Sequence, residues 1–247
     1  MSLLRARRQS PGPAAPAVEA SPGPPVLVAR GLTKIYGEGE TAVPALRGVD
    51  VELFSRRLLA IVGPSGSGKS TLLHLLAGID VPSEGKVEVD GRSLDSMGDG
   101  ESARFRSSRI GFVLQRDNLI PSLTIQENAA APMLLSGFRR DEAFERAAEV
   151  LDRVGLGHRL DAFPGEVSGG EAQRAAVARA CTGKPLLVFA DEPTGSLDRT
   201  TGERVVELLC ELVVEIGAAG LVVTHDADVA ARAHQTLRLV DGLPSEP

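Results

Sequence analysis

Nine consecutive residues, Gly63-Pro64-Ser65-Gly66-Ser67-Gly68-Lys69-Ser70-Thr71, have the types and spacing needed to hold a phosphate chain. Glycines let a backbone curl until several N–H groups face one anion. Lys69 can reach the β- and γ-phosphates of a nucleoside triphosphate, and the Ser70 hydroxyl can ligate Mg²⁺. The flanks fit as well. An apolar run, Leu58–Val62, precedes the loop, and a helix-like run, Thr71–Ala77, follows it. A helix starting there turns its positive end toward the same anion. A bare Gly/Ser-rich turn would need neither flank, so the stretch predicts nucleoside triphosphate binding.

A second group of candidates lies far downstream. Leu186–Glu192 is an apolar run ending in two carboxylates, Asp191 and Glu192. At a strand end, Asp191 can hold Mg²⁺ opposite Ser70, directly or through water. Glu192 is then placed to polarise a water against the γ-phosphate. In isolation the pair could equally cap the next helix, but the phosphate loop favours the first reading. Ser168-Gly169-Gly170-Glu171 also precedes a helix-like run. It reads either as a second anion site or as an ordinary serine N-cap followed by glycines. One loop already cradles a phosphate chain, so a second site would need its own explanation.

Elements must position these groups, and the chain is long enough to supply them. It has 247 residues, 43% of them hydrophobic, which suits one large or two small globular domains. The net charge of −6 and the scarcity of aromatic residues, with no Trp, argue against nucleic acid as a partner. Cys181 and Cys210 read as small buried side chains in a reducing compartment. No apolar run reaches the ~20 residues that span a bilayer. Arg5, Arg7 and Arg8 are followed by no apolar segment, so they do not form a secretory signal. Residues 1–25 are rich in Pro, Ala, Ser and Gly and read as a disordered tail. Its arginines are either solvated or in contact with anionic lipid.

From Val26 onward, short apolar runs recur: Val49–Leu53, Leu58–Val62, Lys86–Val89, Ile110–Leu114, Leu186–Ala190, Leu221–Thr224 and Thr236–Val240. Several lack polar alternation, the mark of strands buried on both faces. Helical spacing lies between them, as in Phe144, Ala147, Ala148, Leu151 and Val154, and again in Val205, Leu208, Leu209, Leu212 and Ile216. Alternating strands and helices predict an α/β fold with a doubly wound parallel sheet. Residues 116–184 interrupt the alternation and read as an inserted helical subdomain.

In this order and at these spacings, the segments resemble the ATP-binding subunit of ABC transporters, over about residues 26–242. Residues 243–247 then form a short tail. The resemblance implies the ABC ATPase fold: a P-loop NTPase core with an inserted helical subdomain. It implies ATP and Mg²⁺ as ligands, and an ATP-dependent homodimer in which the Ser-Gly-Gly loop of one subunit closes on the γ-phosphate held by the other. Carried over residue by residue, Gly63, Ser65, Gly66, Ser67, Gly68, Lys69, Ser70 and Thr71 match the phosphate loop. Tyr36 matches the aromatic that stacks on adenine, with a core tyrosine as the alternative. Gln115 matches the glutamine that senses Mg²⁺ and the attacking water. Ser168, Gly169, Gly170 and Glu171 match the signature, continued by Gln173 and Arg174. Asp191 and Glu192 match the metal-binding and catalytic carboxylates. Ser196-Leu197-Asp198 matches the loop that crosses the dimer, and His225 matches the histidine that contacts the γ-phosphate. His74, His158 and His234 match no motif and read as structural or exposed.

There are departures: Val167 stands in place of Leu, Glu171 in place of Gln, and Ala172 in place of a long polar residue. None removes a group that hydrolysis needs. Glu192-Pro-Thr-Gly195-Ser196-Leu-Asp198 resembles the group serving lipoprotein release, macrolide-type export and cell division. The resemblance implies a separately encoded transmembrane permease, with this subunit cytoplasmic and peripheral on the inner face of the membrane. A soluble ABC ATPase of the cluster-assembly type is the alternative, and the Gly195-Ser196 pattern argues against it. Leu119–Ile125, just after Gln115, predicts either one wall of a groove for a permease helix or ordinary core.

Overall fold

The computed structural model describes residues 23–115 and 118–245. Most of the segment read as a tail, residues 1–22, lies outside the described residues, as do 246 and 247. In chain order the elements are β1 (Leu27–Tyr36), β2 (Val43–Leu53), β3 (Leu58–Val62), α1 (Lys69–Leu76), β4 (Glu84–Val89) and β5 (Arg92–Ser93). Next come α2 (Asp99–Arg109), β6 (Ile110–Val113), α3 (Ile125–Leu135), α4 (Arg140–Arg153) and α5 (Gly169–Thr182). Then follow β7 (Leu187–Asp191), α6 (Arg199–Ile216), β8 (Ala219–Val223), α7 (Ala227–Ala230), β9 (Gln235–Val240) and β10 (Leu243–Ser245).

The runs without polar alternation form the centre of one sheet. Its order is β10-β9-β3-β8-β7-β6, parallel except for β10, which returns antiparallel to β9. Every residue of β8 is buried, and so are the first four of β3 and of β7. That is the pattern of strands covered on both faces. One face is covered by α3 to α6, whose Ala129, Val150, Val177 and Leu209 pack with Val188 and Val222. The other face receives α1 and a four-stranded antiparallel sheet, β2-β1-β4-β5. There Leu72, Leu73, Leu75 and Leu76 of α1 are buried among Leu32, Val51, Ile61 and Phe189. Burying each such leucine is worth about 1.5–3 kcal/mol.

The antiparallel sheet and α2 go beyond the expected alternation. Strand β2 begins at Val43, six residues before the apolar run that marks it, because its outer half is exposed. Strand β10 carries the sheet to Ser245, past the boundary at 242, since Leu243 pairs with Val240 across a turn. Between β6 and β7 the described regular structure is α3, α4 and α5 with short 3-10 turns, and the strands of the core lie on either side of it in sequence. Helix α5 belongs to both bodies, however: it packs on α3 and α4 and equally on α6 and β6.

Candidate functional site

Parallel strands deliver their following loops to one edge of a sheet. Four sequence candidates follow parallel strands here: the phosphate loop follows β3, Gln115 follows β6, Asp191 and Glu192 end β7, and His225 follows β8. The topology therefore gathers them at the carboxyl edge of the sheet.

The loop at 63–68 is shaped by its glycines. A Cβ at Gly63 would run into the Leu239 carbonyl oxygen, and one at Gly68 into that of Ala45. Gly68 also has φ +96, a conformation L side chains avoid, and directly precedes α1. Lys69 is folded back over the loop, donating to the carbonyls of Gly63 at 3.0 Å and Pro64 at 2.9 Å. Ser65, Gly66 and Ser70 are exposed, so the rim of the loop is open to a ligand. Ser67 differs: its side chain is buried, and its hydroxyl has no hydrogen-bond partner among the described residues.

Asp191 sits partly buried beside this loop. Burial raises its pKa and the Glu192 charge adds to that, against hydrogen bonding from Ser70 and the charges of His74 and Lys69; the balance lies above the ordinary carboxylate value. Glu192 has φ +46, a costly backbone state for a residue with a Cβ. Its N–H donates to Val223 O at 2.9 Å, which pins the strained turn to β8. Its Oε1 lies 2.9 Å from His225 Nδ1, and its Oε2 is buried with no hydrogen-bond partner among the described residues. A carboxylate oxygen held in place but unpartnered can take a proton from, or orient, a water. The ring of His225 is otherwise exposed. Hydroxyl and carboxylate oxygens at Ser70 and Asp191 form the hard donor set that a divalent cation such as Mg²⁺ takes.

Gln115 lies against the turn after Glu192. A Cβ at Gly195 would collide with its side-chain amide, and Ser196 Oγ donates to its carbonyl at 3.4 Å. Asp198 caps α6, accepting from Thr201 N at 3.1 Å, and Thr201 holds its carboxyl below the usual range. Ser168 caps α5, so the cap reading holds within one subunit. Its hydroxyl donates to Glu171 Oε2 at 2.8 Å and accepts from Glu171 N at 3.3 Å. The Ser168 N–H also donates to Glu171 Oε2 at 2.9 Å. These bonds, with Arg159 at 3.3 Å, push the Glu171 pKa down to about 2. Ser168 and Gly169 are exposed, Gly170 packs against Thr201, and none of the three hydrogen-bonds the phosphate loop among the described residues.

Tyr36 is not core. It is 43% exposed, its hydroxyl donates to Asp80 Oδ2 at 3.0 Å, and Lys34 Nζ lies 5.0 Å from its ring centroid. His158 is exposed, and His234 Nδ1 accepts from Leu58 N at 3.0 Å, as the structural reading expects. Leu119–Ile125 divides between its two readings. Ile125 is fully buried and Leu119 packs on the core, while Ile120 is 46% exposed and lines a groove of about 750 Å³ between α2, α3 and α5. Sequence reasoning passed over Lys34 and Asp80, which hold Tyr36, and the pairing of Asn118 with Leu114 and Gln173 in the loop after Gln115. Their roles depend on pairings across the fold that no local spacing carries.

The chain matches the family described as ABC transporter over residues 46–195, a span from β2 to Gly195 that includes the phosphate loop, Gln115, the Ser168 loop, Asp191 and Glu192. It is similar to the lipoprotein-releasing system ATP-binding protein LolD of Alcanivorax borkumensis, 48% identical over 219 residues, 89% of this chain and 96% of that one. An uncharacterized ABC transporter ATP-binding protein of Thermotoga maritima is 47% identical over 209 residues, 85% of this chain and 89% of that one. The solved dimer of the ATP-binding cassette MJ0796, in a post-hydrolysis state bound to ADP and Pi, superimposes with a TM-score of 0.79 at 38% identity. It covers 87% of this chain and 95% of its own.

Proposed function

Because this chain belongs to the ABC transporter family, as the ATP-binding and ATP-hydrolysing subunit that works with a separate permease, we propose how its residues divide that work. Lys69 and the N–H groups of the loop at 63–68 bind the β- and γ-phosphates of ATP. Glu192, through Oε2, orients the attacking water and takes its proton, and His225 holds the other carboxylate oxygen. Ser70, Asp191 and Gln115 would hold Mg²⁺, which when bound supplies positive charge against the β/γ-phosphate oxygens. Tyr36 stacks on the adenine. The exposed Ser168 and Gly169, with the half-buried Gly170 and Glu171 behind them, serve the γ-phosphate of a second copy, and Asp198 lies at that dimer interface. The observation that carries this reading is Glu192 Oε2, buried without a hydrogen-bond partner among the described residues at the carboxyl edge beside the phosphate loop.

The transported substrate follows from the relatives alone. Several curated relatives are named lipoprotein-releasing ATP-binding proteins, which supports lipoprotein release as the work of the complex. No helix among the described residues is long and apolar enough to cross a membrane. Membership of a family whose ATP-binding subunit works with a separate permease supports a subunit held at the cytoplasmic face by that permease. The groove holding Ile120 supports a docking site there: Ile79, Leu135 and Phe138 expose apolar surface along it, with Arg106 and Lys184 at its walls.

Ser168→Arg tests the composite site. It keeps the affinity of the isolated subunit for a fluorescent ATP analogue and abolishes hydrolysis, because a bulky cation stands where the partner's γ-phosphate must approach. Normal turnover in this variant would reduce Ser168 to a helix cap.

A further inference from the structure

Two buried amides have no task in the chemistry above. Gln173, on α5, is 5% exposed, and Asn118, three residues after Gln115, is 8% exposed. They meet directly: Asn118 Nδ2 donates to Gln173 Oε1 at 3.0 Å. Both also grip Leu114, the residue before Gln115. Gln173 Nε2 donates to Leu114 O at 3.0 Å, and Leu114 N donates to Asn118 Oδ1 at 2.6 Å. Asn118 Nδ2 donates to the Leu114 carbonyl as well. From the same helix, Arg179 donates to the carbonyls of Asn118 and Phe112. The chain on both sides of Gln115 is therefore tied to the helix whose N-terminus presents Ser168.

We propose that the Gln173–Asn118 pair is a latch that fixes Gln115 to the helix carrying Ser168, so that these two groups move as one unit. The inference rests on the composite site proposed above. In that site Gln115 faces the ATP of its own subunit and Ser168 faces the ATP of the partner. A rigid tie between them makes the state of one nucleotide felt at the other. Four bonds close the ring of Asn118, Gln173 and Leu114; the Asn118–Gln173 bond is buried and the three to the Leu114 backbone are part-buried, so losing one amide strands the other. Gln173 and Asn118 are thus positioning residues that act through Gln115.

The test is a double-mutant cycle on purified protein. Gln173→Met keeps side-chain length and removes the amide. It should leave the affinity for a fluorescent ATP analogue within about 2-fold and lower kcat by about 10-fold or more, and it should add no further loss in a Gln115→Ala background. A structural role would lower the melting temperature and multiply with the Gln115→Ala loss, and that result overturns the latch. So does wild-type turnover in Gln173→Met. If Gln173→Met does not fold, Asn118→Ser breaks the same pair from the loop side and is read by the same cycle. Full turnover in Gln115→Ala would overturn the assignment of Gln115, and the latch with it; a slow Gln115→Ala beside a fast Gln173→Met overturns the latch alone.

Discussion

Asp191 sits where its own ionisation costs the fold stability. Burial and then the neighbouring Glu192 charge oppose its ionisation, so its folded pKa lies above the unfolded value. A folded state that binds more protons than the unfolded state loses stability as pH rises. The loss begins near the ordinary carboxylate pKa of ~3.9, completes above the raised folded value and persists at neutral pH. Asp191→Asn should therefore raise the melting temperature of the ligand-free protein at pH 7.5, while removing the carboxylate proposed to hold Mg²⁺. The gain should shrink toward zero as the pH falls below ~4. Thermal melts at the two pH values check this, and an equal gain at both would contradict it. Glu192 stores cost in another form, a left-handed backbone state tied down by Val223.

At the scale of elements, the sequence was most legible where chemistry is local. Strands β3, β7 and β8 announce themselves by unbroken apolar runs, because burial on both faces leaves no polar position. Helices α4 and α6 show apolar side chains at three- and four-residue steps; of these Ala147, Leu151, Val205, Leu208, Leu209 and Leu212 are buried, while Phe144, Ala148 and Ile216 are half-buried. Helix α2, Asp99–Arg109, has no such stripe; it is polar nearly throughout. Strand β1 is hidden because register shifts between Ala29 and Leu32, and between Lys34 and Ile35, break its alternation. The site follows the same divide. The phosphate loop and the Asp191-Glu192 strand end are contiguous and were found from residue types alone. Tyr36, Gln115, Asp198 and His225 needed a family resemblance, since a lone Tyr, Gln, Asp or His carries no local signal. The amide ring around Leu114 was invisible, because Asn118 and Gln173 lie far apart in sequence.

On the whole molecule, the proposed reading needs two surfaces to work together: the exposed Ser168 loop for a second copy, and the groove along α3 for the permease. Leu135 is 77% exposed at the end of α3, so a charge there leaves the core untouched. Leu135→Glu is expected to hydrolyse ATP at the basal rate and to lose co-purification with the membrane partner. Retained co-purification would move docking to another face. The account's central claim is that Glu192 activates water in a site completed by a second subunit. The most direct measurement is sizing chromatography of Glu192→Gln with and without ATP, alongside its turnover. The account predicts unchanged ATP affinity, turnover lowered at least ~100-fold, and an ATP-dependent shift from monomer to a trapped dimer. A variant that stays monomeric with ATP and hydrolyses it at the wild-type rate would contradict both the role of Glu192 and the two-subunit site.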